Sequence, residues 1–204
     1  MKFPSKGLYA ITQTEAKSAD AIIAEVRAAL QGGAVVIQYR DKTTREAQPL
    51  ASALLQECHR HHAPLIINDD IELAAKIGAD GVHLGRDDGS VAAARQLLGP
   101  KAIIGVSCYD DLAKAIDMQG QGVDYVAFGR FFPSNSKPLA SPAHITTLQQ
   151  ARQSINIPIV AIGGILPDNG AQLLAAGADL LAVIGGVFEH DPEQSARAYQ
   201  RLFI

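Results

Sequence analysis

AKSADAIIAEVRAALQGGAVVIQYR, residues 16–40, carries two periodicities in succession. In its first part Ala21, Ile22, Val26 and Leu30 fall roughly on one helical stripe, and Gly32-Gly33 ends the pattern. In its second part Val36 and Ile37 read as a buried strand, and Gln38, Arg40 and then Lys42 occupy every second position. Successive strand side chains point to opposite faces, so these three polar groups share one face. A helix feeding a strand that ends in an amide and two cations is the unit from which the rest of the chain is read.

Short apolar runs of the same kind recur along the chain: GLYAIT (7–12), AVVIQYR (34–40), PLIIND (64–69), GVHLG (81–85), AIIGVSC (102–108), YVAFG (125–129), IPIVAIGG (157–164) and LLAVIGG (180–186). Each is too short for an ordinary helix, and most are rich in Val and Ile, so they read as strands. Alanine-rich amphipathic segments lie between them. Residues 44–62 form one such segment, with Pro49 tolerable only in its first turn, so the helix is expected to start late. Strand then helix, eight times over, implies parallel strands with crossover helices, and eight units can close into a (β/α)8 TIM barrel. The competing open doubly wound sheet would carry a glycine-rich fingerprint after its first strand, and GLYAITQTEAK has none. No linker divides the chain, so residues 1–204 are expected to form a single barrel domain.

The 204 residues suffice for a sizeable core, and the net charge of −3 argues against a nucleic-acid binder acting through a general basic field. Two isolated cysteines, Cys58 and Cys108, suit a reducing compartment better than a disulfide framework. The first residues lack the apolar core of a signal peptide, and the apolar runs are too short to span a bilayer. A cytoplasmic protein with neither nucleic acid nor membrane as partner is therefore expected.

In a barrel the site lies at the C-terminal ends of the strands. The polar residues gather there: Gln38, Arg40 and Lys42 after the second strand, Asn68 and Asp69 after the third, Arg86 to Asp88 after the fourth. Ser107 follows the fifth strand and Ser134 to Lys137 the sixth, while Gly163-Gly164 and Gly185-Gly186 end the last two. Lone carboxylates would repel a phosphate. A divalent ion between them reverses that, because hard oxygen ligands hold it while leaving positions for phosphate oxygens. The late glycine pairs offer backbone N–H groups for a second phosphate. No His/Cys cluster has zinc spacing, and GVSCY (105–109) lacks the hydrolase elbow. By pattern Asp70 caps a helix, and Asp87 or Asp88 could cap the helix from Ser90. His83 is expected inside the barrel, and His59, His61 and His62 in solvent at a helix end.

QYRDK (38–42), NDD (68–70), GVHLGRDD (81–88), GVS (105–107), GRFFPSNSKP (129–138), AIGGI (161–165) and VIGG (183–186) together resemble the thiamine-phosphate synthase family over essentially the whole chain. The resemblance implies a transferase of thiamine biosynthesis. Hydroxymethylpyrimidine diphosphate would couple to hydroxyethylthiazole phosphate, or its carboxylated form, giving thiamine phosphate and pyrophosphate with Mg2+. It matches Gln38, Tyr39, Arg40, Asp41, Lys42, Asn68, Ser107 and Lys137 to the pyrimidine diphosphate. Of these, Arg40, Lys42, Ser107 and Lys137 would be catalytic. It matches Ser134, Asn135, Ser136, Gly164, Ile184 and Gly185 to the thiazole phosphate, and Asp69 and Asp88 to the metal. The aminopyrimidine ring can spread positive charge at its methylene, so a dissociative displacement is expected, with cations stabilising the leaving diphosphate. A homodimer is the family expectation.

Three departures stand out. Ser134-Asn135-Ser136 replaces the usual threonine pair, Arg130 follows Gly129 where proline is usual, and Gly185 stands where a serine or another polar residue is common. The rival readings are a thiazole tautomerase of the same fold and a non-catalytic phosphate-ligand sensor. The segment 130–142 is the candidate lid.

Overall fold

The computed structural model describes residues 1–43, 46–85, 89–133 and 141–204. Its strands are β1 (Gly7–Ile11), β2 (Ala34–Tyr39), β3 (Leu65–Asn68), β4 (Gly81–Leu84), β5 (Ile103–Tyr109), β6 (Tyr125–Phe128), β7 (Ile159–Ile162) and β8 (Leu180–Val183). All pair in parallel in chain order, and β1 pairs with β8, so the sheet closes. The helices are α1 (Ala19–Gln31), α2 (Ala47–Arg60), α3 (Ile71–Ile77), α4 (Val91–Leu98), α5 (Leu112–Gly120), α6 (Ile145–Ser154), α7 (Gly170–Ala175), α8 (Gly185–Phe188) and α9 (Pro192–Gln200). This is the single-domain (β/α)8 barrel that the repeated strand–helix unit predicts, with α9 packed back against α1.

The two-residue period of the strands divides the apolar residues into two cores. Leu8, Ile37, Ile67, Val82, Val126 and Leu181 face outward and meet the helices. Tyr9, Val36, Ile66, Ile103, Tyr125, Val160 and Leu180 fill the barrel interior, so the barrel is packed rather than open. Gly105 on β5 makes room for that filling. A Cβ there would overlap the Tyr125 ring, and Phe3 stacks on the same ring at 4.1 Å with the two planes nearly parallel.

Helix starts follow local chemistry. Asp70 accepts a hydrogen bond from Leu73 N at 2.8 Å and caps α3, as its position predicts. Ser90 itself caps α4, accepting from Ala93 N at 3.1 Å, so that helix needs neither Asp87 nor Asp88. With α2 beginning at Ala47, Pro49 falls in its first turn.

Three aspartates repeat one device at the N-terminal end of the barrel. Asp80, Asp124 and Asp179 stand just before β4, β6 and β8, and each accepts a backbone N–H of the preceding strand, from Leu65, Ile104 and Ile159. Each also meets a side chain of a helix: His59 of α2, Arg95 of α4 and Arg152 of α6. His59 is thus bound to Asp80 at 2.9 Å, not simply solvated, and His61 faces Glu57.

Glu57 is almost fully buried between α1 and α2 and accepts two hydrogen bonds from Arg27, at 2.9 and 3.0 Å, and one from Arg60 at 2.7 Å. The Arg27 hydrogen bonds first, and Arg60 after them, outweigh burial and hold its pKa down at about 2, against 4.5 for a free glutamate. A carboxylate depressed on folding stabilises the fold above its unfolded pKa, and loses that contribution as pH falls toward the folded value. Glu57→Gln is therefore expected to lower the melting temperature fully at neutral pH. The gap from wild type should shrink as pH falls from 4.5 toward 2, measured by thermal melts across that range.

Candidate active site

A cavity of about 530 Å³ opens at the C-terminal ends of the strands. On its β2–β5 side Gln38, Arg40, Lys42, Asn68, Asp69 and Ser107 line it; on its β7–β8 side Gly164, Ile184 and Gly185 do. These nine are residues that the sequence singles out, drawn from five strand ends. Asp88, Ser134, Asn135, Ser136 and Lys137 lie outside the described residues.

The period of two also explains which groups of QYRDK do not enter the cavity. Gln38, Arg40 and Lys42 face inward. Tyr39 and Asp41, which family likeness also assigns to the substrate, do not line the cavity. Tyr39 is packed in the layer between strands and helices, and its hydroxyl donates to Asp41 Oδ2 at 3.1 Å. Asp41 further accepts from Thr14 Oγ1 at 2.9 Å and from Thr43 N at 2.8 Å. Burial raises the Asp41 pKa, but these hydrogen bonds outweigh it and the net shift is downward. Both residues brace the loop that carries Arg40 and Lys42.

Arg40 is anchored from β1. Thr12, fully buried, accepts from Arg40 N at 2.9 Å, and its hydroxyl lies 3.0 Å from Arg40 O. Its backbone is thus fixed on both sides while its side chain lines the cavity. Nothing in the sequence marks Thr12, because a threonine after a strand is unremarkable without its partner.

Asp69 has φ +66°, a left-handed conformation that aspartate tolerates better than most residues and that costs energy unless its surroundings hold it. Its backbone N donates to His83 O at 2.8 Å. Its carboxylate takes Lys42 Nζ at 3.0 Å and Asn68 Nδ2 at 2.6 Å. An acid with hard oxygens, held in the cavity wall beside a lysine, suits a divalent cation bound together with an anion. No group of three or more His, Cys, Asp or Glu is close enough to ligate a metal among the described residues, so such an ion would also draw on other oxygens.

Beneath these groups lies a polar floor. Gln38 Nε2 reaches Tyr9 Oη at 2.8 Å, and Tyr9 meets Tyr125 at 2.8 Å. His83 bridges Tyr125, at 2.9 Å through Nδ1, and Ser107, at 2.8 Å through Nε2. His83 is buried inside the barrel, as its place in a strand predicts. Cys108, next to Ser107, is buried and its thiol is pushed up to about 12 by burial, which leaves no thiolate for nucleophilic attack.

On the far side Gly164 has φ +62°, and a Cβ there would overlap the Pro133 carbonyl. Asn169 holds this turn by donating to Gly164 O at 3.1 Å and accepting from Leu166 N at 2.9 Å. Gly185 opens the short α8, and a Cβ on it would come within 2.6 Å of Glu189 Oε1. Glu189 follows the VIGG motif by several residues, so the motif gives no sign of it. It fills the space a serine at 185 would need, and it lines the cavity.

Residues 8–187 match the family model described as thiamine monophosphate synthase. The chain belongs to that family. Relatives agree: the thiamine-phosphate synthase of Nitrosococcus oceani is 53% identical, over 97% of this chain and 93% of its own. That of Methylococcus capsulatus is 50% identical, over 100% of this chain and 92% of its own. Among solved structures, a thiamine phosphate pyrophosphorylase from Pyrococcus furiosus superposes with a TM-score of 0.87 at 32% identity, covering 97% of this chain and 95% of that one. Family membership thus rests on sequence and fold together, and the thiamine monophosphate synthase barrel is the frame for the cavity described above.

Proposed function

We propose that the protein is a thiamine-phosphate synthase that joins hydroxymethylpyrimidine diphosphate to hydroxyethylthiazole phosphate, or its carboxylated form, and releases pyrophosphate. The observation that carries this reading is the sharing of one cavity by Arg40, Lys42 and Asp69 on one side and a glycine-rich backbone rim on the other. Arg40 and Lys42 are fixed where a leaving diphosphate needs positive charge, and a preorganised charge is worth more than one that must reorganise. The rim at Gly164 and at Ile184-Gly185 holds the phosphate of the second substrate, which positions its ring nitrogen for attack at the methylene. Lys137, Asn135 and the serines at 134 and 136 are assigned to the same two substrates on family likeness.

We infer that the metal is Mg2+, held by Asp69 with Asp88. When bound it supplies further neutralisation of the diphosphate. Asp69 serves this by presenting its carboxylate into the cavity, and Lys42 beside it serves both the carboxylate and the substrate anion. We also infer a cytoplasmic enzyme acting on small molecules as a homodimer. Its two cysteines are buried and unpaired, and no described helix is long and apolar enough to cross a membrane.

Incubation with both substrates and Mg2+, following pyrophosphate and thiamine phosphate, tests the reading. Pyrophosphate release that requires both substrates is the expected result. Isomerisation of the thiazole alone would point to a tautomerase, and binding of either substrate without turnover to a sensor.

Glu189 adds a prediction. Its carboxylate lies on the phosphate side of the cavity and repels an anion there. Glu189→Gln is expected to lower KM for the thiazole phosphate by roughly three- to ten-fold with little change in KM for the diphosphate, read from initial rates.

A further inference from the structure

Two of the side chains that family likeness matches to the pyrimidine diphosphate, Gln38 on β2 and Ser107 on β5, are joined beneath the cavity by an unbroken run of hydrogen bonds. The run is Gln38–Tyr9–Tyr125–His83–Ser107, with every link between 2.8 and 2.9 Å. Its inner members are buried, and among the described residues neither phenol has another hydrogen-bond partner. Burial pushes both phenol pKa values up, so each ring keeps one proton to donate.

With the Gln38 amide turned so that Nε2 meets Tyr9, proton counting gives the direction of every other link. Gln38 Nε2 can only donate, so the Tyr9 oxygen accepts from it. The Tyr9 proton goes to its one remaining partner, Tyr125, and the Tyr125 proton to His83 Nδ1. An imidazole that accepts at Nδ1 is neutral and carries its proton on Nε2, where it donates to Ser107 Oγ. The Ser107 proton is left to point into the cavity, and the Gln38 carbonyl oxygen is left on the cavity side. Reversal is the alternative, and it is concerted: the amide turns over, both phenols rotate and the histidine changes tautomer. A mixed state would set two donors or two lone pairs against each other in a buried place, which is costly.

We propose that Tyr9, Tyr125 and His83 are positioning residues that lock Gln38 as an acceptor and Ser107 as a donor, and so decide which edges of a heteroaromatic ring the site accepts. The ring assignment rests on the synthase reading; the direction of the chain does not. A ring that presents an amino group to Gln38 is matched, and one that presents a carbonyl there sets oxygen against oxygen. The chain therefore selects a 4-aminopyrimidine over its 4-oxo counterpart. Tyr125 is built to hold this role, with Phe3 stacked on its ring and Gly105 leaving the space that the ring fills.

Protein carrying 15N-labelled histidine tests the direction without substrate, by long-range proton–nitrogen correlation at neutral pH. The His83 signals are assigned by their loss in His83→Asn. Expected is a neutral ring with bare Nδ1 and protonated Nε2. In Tyr125→Phe, which removes the donor to Nδ1, the Nδ1–H tautomer should become populated. Tyr9→Phe should leave the histidine tautomer in place but release the Gln38 amide. KM for the pyrimidine diphosphate should then rise roughly ten-fold while kcat holds, and the preference for the amino over the oxo ring should fall. A wild-type ring protonated on Nδ1, or on both nitrogens, overturns the proposal, as does a Tyr125→Phe spectrum identical to wild type. If the tautomer and its response are as expected but no coupling occurs, the synthase reading fails and the polarity of the chain stands.

Discussion

Arg40→Ala is expected to lower kcat by about 10²–10³, the usual loss when one preorganised charge donor is removed from a transition state. The effect should fall on kcat more than on KM for the thiazole phosphate, because Arg40 follows β2 whereas Gly164 and Gly185 follow β7 and β8. Stability should change little, since the side chain faces the cavity and the backbone anchor to Thr12 does not depend on it. Arg40→Lys should recover only part of the rate: an ammonium keeps the charge but loses the planar fork that grips two phosphate oxygens. Initial rates for both variants, with thermal melts beside them, check each part. A kcat within three-fold of wild type for Arg40→Ala would remove Arg40 from the charge-stabilising set.

Asp69→Asn is expected to raise the Mg2+ concentration needed for half-maximal rate by about 100-fold. Residues that merely orient a metal's ligands cost 10–100-fold in affinity when changed, so loss of a ligand carboxylate should cost at least the upper end of that range. The substitution keeps the shape and leaves the Asn68 and Lys42 side chains in place around it. Lys42 loses its anionic partner, so binding of the diphosphate in the absence of metal should, if anything, tighten. That opposite movement separates a metal ligand from a residue that only shapes the loop. Rates titrated with Mg2+, and metal-free pyrophosphate binding by calorimetry, are the two measurements. An unchanged metal requirement would exclude Asp69 as a ligand.

What the sequence made legible follows from local periodicity. The two-residue period after Val36 places Gln38, Arg40 and Lys42 together, and the structure has all three on the cavity. The same period should have kept Tyr39 and Asp41 off it. Family likeness brings them in as part of one motif, whereas the pleat turns Asp41 toward Thr14 and Thr43, and the Tyr39 hydroxyl meets Asp41. Asp70 as a cap and Pro49 in a first turn were readable because each acts within a few residues of itself. The partners that were not readable are distant in the chain. Tyr9 meets Tyr125 across 116 residues, and Thr12 meets Arg40 across 28. His59 looked like a solvated helix end because nothing in its neighbourhood announces Asp80. Glu189 was hidden for another reason: its importance depends on a missing side chain at Gly185.

Crystals soaked with pyrophosphate and Mn2+, with the anomalous signal of the metal located, test most directly whether one mouth of the barrel gathers the groups that discharge a diphosphate. A metal peak at the Asp69 carboxylate is expected, with pyrophosphate between it and the Arg40 and Lys42 side chains. A metal peak away from Asp69, or pyrophosphate seated without contact to either cation, would contradict it.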